Sequence, residues 1–425
     1  METINRHLAP INIPINTVSL KELSVFNLAS GALVYYIPTK DTGVLKMDII
    51  LDGGLKNQRV SGIASAVSTL LTEGTKNYTG AQIAEGLDKY GAYIQTRTTF
   101  DDAVITLYCL PRYLKHCSSF IVSILSECDF PEKEVNNYKT KALQRLSINS
   151  QRNSFVGRRA FYSSVFGNDN YYGRAVYQDD YEIISRETLI PFYQTKIQSQ
   201  VKYILLSGDV NEQTLQEIRF IFNDFKCSSP NNSISTIVDQ SQQNLFIENA
   251  FSVQSSIQIG RRLVSRKHPQ YHKLQLLNLG LGGYFGSRLM KNIREEKGLT
   301  YGIYSAIESY LEEGVFYIET EINNDLRNIA YKEILLEMGK MRDTQIPKEE
   351  LTLIKNYMLG SFLRGVDGPF SLIDRYKTII DFGFTHEYYQ LFVDTIKSTT
   401  AVELHDLANT YFGEADLTSV IVGNK

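Results

Sequence analysis

The sequence predicts an α+β protein of two homologous domains, each a mostly antiparallel sheet with helices packed on it. Three observations predict it. Phe130-Pro131-Glu132-Lys133-Glu134-Val135 recurs as Ile346-Pro347-Lys348-Glu349-Glu350-Leu351, and each opens a long helical pattern. An apolar, β-rich run at residues 201–210 ends in Gly-Asp, and a matching run at 417–424 ends in Gly-Asn. The chain has 425 residues, too many for one hydrophobic core and enough for two or more. The expected organisation is a first domain at 1–226, a polar linker at 227–243 and a second domain at 244–425.

Composition narrows the class. Hydrophobic residues make up 43% and charged residues 21%, which suits a globular domain rather than a disordered chain. A formal net charge of −3 gives no electrostatic reason to expect nucleic acid or an anionic membrane as partner. No apolar stretch is long enough to span a bilayer, so no membrane association is expected. The first ten residues lack a basic segment followed by an apolar run. Cytoplasmic location is the simplest expectation, although a periplasmic protein without its signal peptide would look the same. Cys109, Cys117, Cys128 and Cys227 have no CxxC spacing, and free thiols are expected.

In order along the chain, β-rich runs occur at 25–28, 32–37 and 45–51, with Ala29-Ser30-Gly31 turning between the first two. Residues 62–75 have helical periodicity, stopped by Gly74. A second helical run ends at Gly91. An alternating, polar-rich strand follows at 93–98 and an apolar one at 104–110. The helix begun at Phe130 runs through Leu146. Polar, turn-rich residues at 227–233 and 240–244 mark the linker. His268 and His272 are spaced for one helical face, but Pro269 at the first helical position is the better reading of that pair. Gly280, Gly282 and Gly286 follow a helical segment, not a strand, which excludes a dinucleotide loop.

The most informative stretch follows. Gly282-Gly283-Tyr284-Phe285-Gly286-Ser287-Arg288-Leu289 leads through Ile293-Arg294-Glu295-Glu296-Lys297-Gly298 to Leu299-Thr300-Tyr301-Gly302. Leu289, Ile293 and Lys297 are helically spaced, Gly298 suits the left-handed residue that closes a helix, and a strand with aromatics follows. Arg294 then lies in a last helical turn and Tyr301 at the start of a strand. One turn brings together a guanidinium fork and a phenol, donors suited to a peptide carbonyl or a developing oxyanion. The plainer alternatives are an ion pair of Arg294 with Glu295 or Glu308, and Tyr301 as an ordinary strand aromatic. Strands at 304–310 and 315–322 complete the second half.

The pattern G-G-Y-F-G-S-R-L-x-x-x-I-R-E-E-K-G-L-T-Y resembles the C-terminal-domain signature of the pitrilysin and mitochondrial-processing-peptidase family of zinc metallopeptidases. The likeness extends over nearly the whole chain. It implies a fold of two domains forming half of a clamshell, and it implies that Arg294 and Tyr301 reach across a cleft toward a zinc-bound substrate. In that family the strand matching 93–98 lies by the cleft, where extended substrate adds as an edge strand. The segment Gly62-Ile63-Ala64-Ser65-Ala66-Val67-Ser68-Thr69-Leu70-Leu71 is similar in its flanks to the family's catalytic helix, which contains H-x-x-E-H. Here Ser65 stands at the first zinc histidine, Ser68 at the glutamate base and Thr69 at the second histidine. Arg145 stands at the third ligand, a glutamate in the family. Catalytic zinc takes three imidazole or carboxylate ligands, and Ser and Thr hydroxyls are not such ligands at neutral pH. A cation at the third position would repel the metal. Neither H-x-x-E-H nor H-E-x-x-H occurs in the chain. The resemblance therefore implies a family member with no catalytic residue and no metal of its own. The expected function is a non-catalytic, substrate-binding subunit of a heterodimeric zinc peptidase. A homologous partner would carry H-x-x-E-H and the zinc, and the substrate would be a peptide. A structural scaffold derived from the same family is the alternative, and an active peptidase with an unrecognised metal site is a third reading.

Overall fold

The computed structural model describes residues 15, 20–39, 42–228 and 244–425. The expected leaderless N-terminus and most of the expected linker, residues 229–243, lie outside the described residues. Two large sheets carry the fold. In spatial order the first contains Ser24–Asn27, Leu33–Pro38, Tyr203–Gly208, Leu45–Leu51, Ala103–Cys109 and Tyr93–Thr98. The second contains Asn244–Glu248, Thr418–Gly423, Gln254–Leu263, Gly314–Asn323 and Thr300–Ser309.

The internal repeat is realised as one topology used twice. Leu33–Pro38 runs parallel to Tyr203–Gly208, as Asn244–Glu248 does to Thr418–Gly423, and every other neighbour in the two sheets is antiparallel. Read from the parallel pair outward, the strands follow the same sequence order in both sheets, and only the first has Ser24–Asn27 added at its edge. The repeated helices start alike. Glu132–Asn149 follows Pro131 (ψ 132°) and Lys348–Arg364 follows Pro347 (ψ 149°), each with acidic residues in the first turn. Proline has no N–H to leave unsatisfied there, and the carboxylates complement the helix dipole. The fold class is the expected α+β pair.

Each sheet has two faces to bury, and the helices of its own half cover only one. On the first sheet, Val34, Met47, Ile105, Leu107 and Leu206 pack with the helices Ile63–Leu70, Leu114–Glu127 and Arg186–Lys196. The opposite face, with Ile37, Ile50, Val104 and Leu205, packs with Ile373, Tyr376 and Ile379 of the helix Pro369–Phe382, which belongs to the second half. The second sheet returns the exchange. Ile257, Ile259, Phe316 and Ile318 face the helices of their own half, including Tyr271–Gly282. Val315, Tyr317, Val420 and Val422 receive Phe161, Val165 and Phe166 of the helix Asn153–Phe166 from the first half. The two exchanged helices occupy equivalent places, each directly after the repeated long helix.

Polar groups fix each exchanged helix on its foreign sheet. Lys377 of Pro369–Phe382 reaches Asp102 at 2.8 Å and also pairs with Asp381, while Lys202 meets the same Asp102 at 2.9 Å. Tyr203 donates its hydroxyl to Asp381. Lys46 bridges to Asp374 at 2.7 Å. On the other sheet, Glu308 accepts from Tyr162 (2.8 Å), Tyr310 (2.7 Å) and Tyr317 (3.0 Å) and pairs with Arg158 at 3.0 Å. The Asp102 carboxylate is 2% exposed. Burial alone would raise its pKa, but the Lys377 and Lys202 ammoniums hold it below the usual carboxylate range.

The histidine pair departs from the expected geometry. His268 lies in a turn, where its Nδ1 accepts the Gln270 N–H, and the helix begins only at Tyr271. His272 is buried against Tyr388 and Phe392, and burial pulls its pKa down to about 4, so it is a neutral core residue. Cys109, Cys117, Cys128 and Cys227 are free thiols. Among the described residues no helix is long and apolar enough to cross a membrane.

Lys377→Met removes the cation shared by two buried carboxylates. It is expected to cost about 3–5 kcal/mol in denaturant unfolding, because the stranded charges remain. The depressed Asp102 pKa adds a pH signature. Its contribution is fully present above the unfolded carboxylate pKa, near 4, and is lost as pH falls below it. Stability of the parent chain should therefore fall more steeply below about pH 4 than that of Lys377→Met.

Candidate functional site

The Gly282–Gly302 stretch is first a packing device. Gly282 ends the helix Tyr271–Gly282 against the Thr300–Ser309 strand, and a Cβ there would lie 2.6 Å from the Ser305 hydroxyl and 2.7 Å from its backbone nitrogen. Leu289 and Ile293 are fully buried. Arg288 makes a two-pronged ion pair with Glu350 at 2.8 and 2.9 Å, fixing the segment to the repeated helix Lys348–Arg364.

The helical segment differs from the expected α-helix. Met290–Glu296 is a π-helix, with the Lys297 N–H bonded to the Asn292 carbonyl. The buried Asn292 side chain donates to Glu337 at 2.7 Å and Glu333 at 3.0 Å, so the wide turn is held from the Arg327–Asp343 helix. Apolar spacing at 289 and 293 fits both helix types, and hydrophobic pattern alone does not separate them. Gly298 closes the segment at φ +61°, the left-handed conformation expected of it.

A β-bulge then turns Tyr301 outward. Thr300 pairs with Ile322 and Ile303 with Thr320, which leaves one extra residue on the edge strand. The Thr320 hydroxyl donates to the Gly302 carbonyl at 2.9 Å, and the Thr300 hydroxyl donates to the Glu321 carbonyl at 2.6 Å. Tyr301 is 92% exposed. The Arg294 guanidinium lies 5.4 Å from the Tyr301 ring centre and 4.8 Å from that of Phe285. Stacked on two aromatic rings, it keeps its N–H edges available for an acceptor. Among the described residues Arg294 forms no ion pair; Glu308 is taken by Arg158 and three tyrosines. The turn thus brings Arg294 and Tyr301 together, and it adds Phe285, which sequence reasoning quoted without singling out. Tyr284 stands between the same two glycines and packs on Tyr357, so nothing in the sequence separates the exposed ring from the packed one.

The positions assigned to zinc lie elsewhere. Gly62 at φ +90° leads into the helix Ile63–Leu70, which packs against Glu132–Asn149. Ser65, Thr69 and Arg145 line one cavity of 370 Å³ between these helices. The Thr69 hydroxyl is spent on the Ser65 carbonyl at 2.8 Å. Ser68 is buried and does not line the cavity. Among the described residues no group of three His, Cys, Asp or Glu is arranged to hold a metal ion. Hydroxyls and a guanidinium do not fit zinc. Among the described residues the Tyr93–Thr98 and Thr300–Ser309 strands are sheet edges at equivalent places in the repeat, each paired on one side.

Comparison with known proteins gives the following. Residues 52–178 match the model "Insulinase (Peptidase family M16)" and residues 184–358 match "Peptidase M16 inactive domain", together well over half of the chain. An uncharacterized zinc protease of Rickettsia felis is 22% identical over 81% of this chain and 84% of its own. A non-peptidase homolog from Helicobacter pylori is 22% identical over 88% of this chain and 87% of its own. A solved peptidase M16 inactive domain from Pseudomonas fluorescens superposes with a TM-score of 0.84 at 19% identity, over 95% of this chain and 98% of that one. A solved periplasmic protease of Escherichia coli superposes with a TM-score of 0.78 at 12% identity, over 99% of this chain but 49% of that one.

Metal analysis of the purified chain, after dialysis against zinc, is expected to give far less than one equivalent, and peptide cleavage by the chain alone is expected to be absent. Gly298→Ala, at a site with open space but positive φ, should cost about 1 kcal/mol of stability from backbone strain alone.

Proposed function

Because this chain belongs to the M16 peptidase family, as a member without zinc-ligand chemistry where that family's motif would lie, we propose that it is the substrate-binding subunit of a heterodimeric zinc peptidase. The carrying observation is the stack of exposed Phe285 and Tyr301 on half-buried Arg294, whose donors find no acceptor among the described residues. A scaffold needs the buried part of this stretch, namely Gly282, Arg288, Leu289 and Ile293. It has no use for an exposed phenol set beside a guanidinium by a bulge and a π turn. The match of the whole chain to about half of a longer protease supports a second, similar half as partner.

The partner would be a homologue with an intact H-x-x-E-H motif. Its metal site would supply the hydrolytic chemistry, during which negative charge develops on the scissile carbonyl oxygen. Tyr301 would donate its hydroxyl to that oxygen. Arg294, pre-oriented by two rings, would hold the same oxygen or a neighbouring peptide carbonyl without reorganising as charge builds. An extended peptide would add along a free sheet edge through backbone hydrogen bonds.

Steady-state kinetics of the reconstituted pair tests this reading. The partner should be nearly inactive alone and regain cleavage on mixing. Tyr301→Phe should leave the complex assembled and lower kcat by about 10²–10³, the typical cost of one lost oxyanion donor. Arg294→Ala should lower kcat and raise KM. If both variants assemble and turn over at the parent rate, the stack is structural and the scaffold reading replaces this one.

A further inference from the structure

We propose that the cavity between the Ile63–Leu70 and Glu132–Asn149 helices is a binding site for a carboxylate of a peptide, recognised by Arg145, Tyr138 and Tyr181. This goes beyond the pairing described above and concerns a different surface of the chain.

The cavity is polarised along the Glu132–Asn149 helix. Glu134 lines one end and Arg145 the other. Eleven residues separate them, about 16 Å at ~1.5 Å per residue. Glu73 and Glu134 are the acidic groups of the lining, and Glu134 already accepts from Asn137 at 3.1 Å. Toward the other end stand Lys141, Arg145 and Asn149, and Tyr181 lines the cavity from the Gln178–Glu182 helix. Lys141 and Arg145 are one helical turn apart and so share a face.

These donors lack acceptors. Among the described residues Arg145 and Lys141 form no ion pair, and the Tyr138 and Tyr181 hydroxyls have no hydrogen-bond partner. At the second sheet, Tyr162, Tyr310, Tyr317 and Arg158 close such a network on Glu308. The cavity has a similar donor set, and neither Glu73 nor Glu134 of its lining is bonded to it. Burial raises the Tyr138 pKa to about 12, with Tyr181 and then Arg145 as smaller influences of opposite sign, so the phenol is a proton donor at neutral pH. Burial also raises Tyr181, against the pull of Arg159 and Arg145. A guanidinium with adjacent phenols matches the planar, two-oxygen geometry of a carboxylate. The hydroxyl of Ser65 adds a donor on the facing helix.

A carboxylate could come from a peptide C-terminus or from an Asp or Glu side chain. Three acetylated pentapeptides of alternating Ala and Ser separate these sources by NMR titration of the isolated chain. One has a free C-terminus, one is amidated, and one is amidated with a central Asp. At least one acidic peptide should bind ten-fold or more tighter than the neutral amide, since hydrogen bonds to charged groups carry that much. The stronger of the two names the source. Arg145→Leu should lose that preference, Arg145→Lys should keep part of it, and Tyr138→Phe should weaken binding a few-fold. Arg145 is exposed, so the two Arg145 variants should melt as the parent does. No binding, equal binding of all three peptides, or an unchanged preference in Arg145→Leu would overturn the proposal. Because no partner subunit is present, failure here leaves the heterodimer reading standing, and the reverse also holds.

Discussion

The exchange of one helix between the two halves is the constraint on which the rest depends. A sheet with two apolar faces is stable only when both are covered. Here Pro369–Phe382 covers the first sheet and Asn153–Phe166 covers the second, so neither half completes its core alone. The bonds that register these helices are charged or phenolic and mostly buried. Removing one partner strands the other in a low-dielectric interior, which makes the arrangement costly to disturb. The two sheets are thereby held in a fixed relation, and with them the two equivalent free edges.

On that frame the signature stretch separates into two kinds of residue. Gly282, Arg288, Leu289 and Ile293 face inward and join a helix, a strand and the Lys348–Arg364 helix. Phe285, Arg294 and Tyr301 face outward, and two local irregularities put them there. The π turn at Met290–Glu296 is held by Asn292, and the bulge after Thr300 is held by Thr320. Irregular backbone is less favourable than a regular helix and ladder, and here its result is a half-buried guanidinium set against two exposed rings. In the first half the corresponding investment is missing. Ser65, Thr69 and Arg145 line a cavity there, and hydroxyls and a guanidinium are not the ligands a catalytic zinc takes.

Much of the fold was legible in the sequence because it rests on pattern. The Pro-Glu/Lys-Glu openings of the long helices, the alternating strand at 93–98 and the Gly-terminated apolar closing strands are local signals, and the structure uses each as expected. The helix exchange was not legible, because nothing in an amphipathic helix says which sheet it will cover. The meeting of Arg294 with Tyr301 was legible through Gly298, whose left-handed turn limits where the next residues go. The π geometry was not, since it depends on Glu333 and Glu337, about forty residues further along the chain. Tyr138 and Tyr181 were likewise invisible as a pair, since they come from separate helices.

The central claim is that Tyr301 meets substrate only when a metal-bearing homologue completes the cleft. Replacing Tyr301 with the photo-crosslinking residue p-benzoylphenylalanine tests it directly. Irradiation with a labelled peptide and an H-x-x-E-H homologue whose catalytic glutamate is neutralised should join the peptide to this chain, with little label when the homologue is left out. Labelling that is equally strong without the homologue, or absent in its presence, would contradict the account.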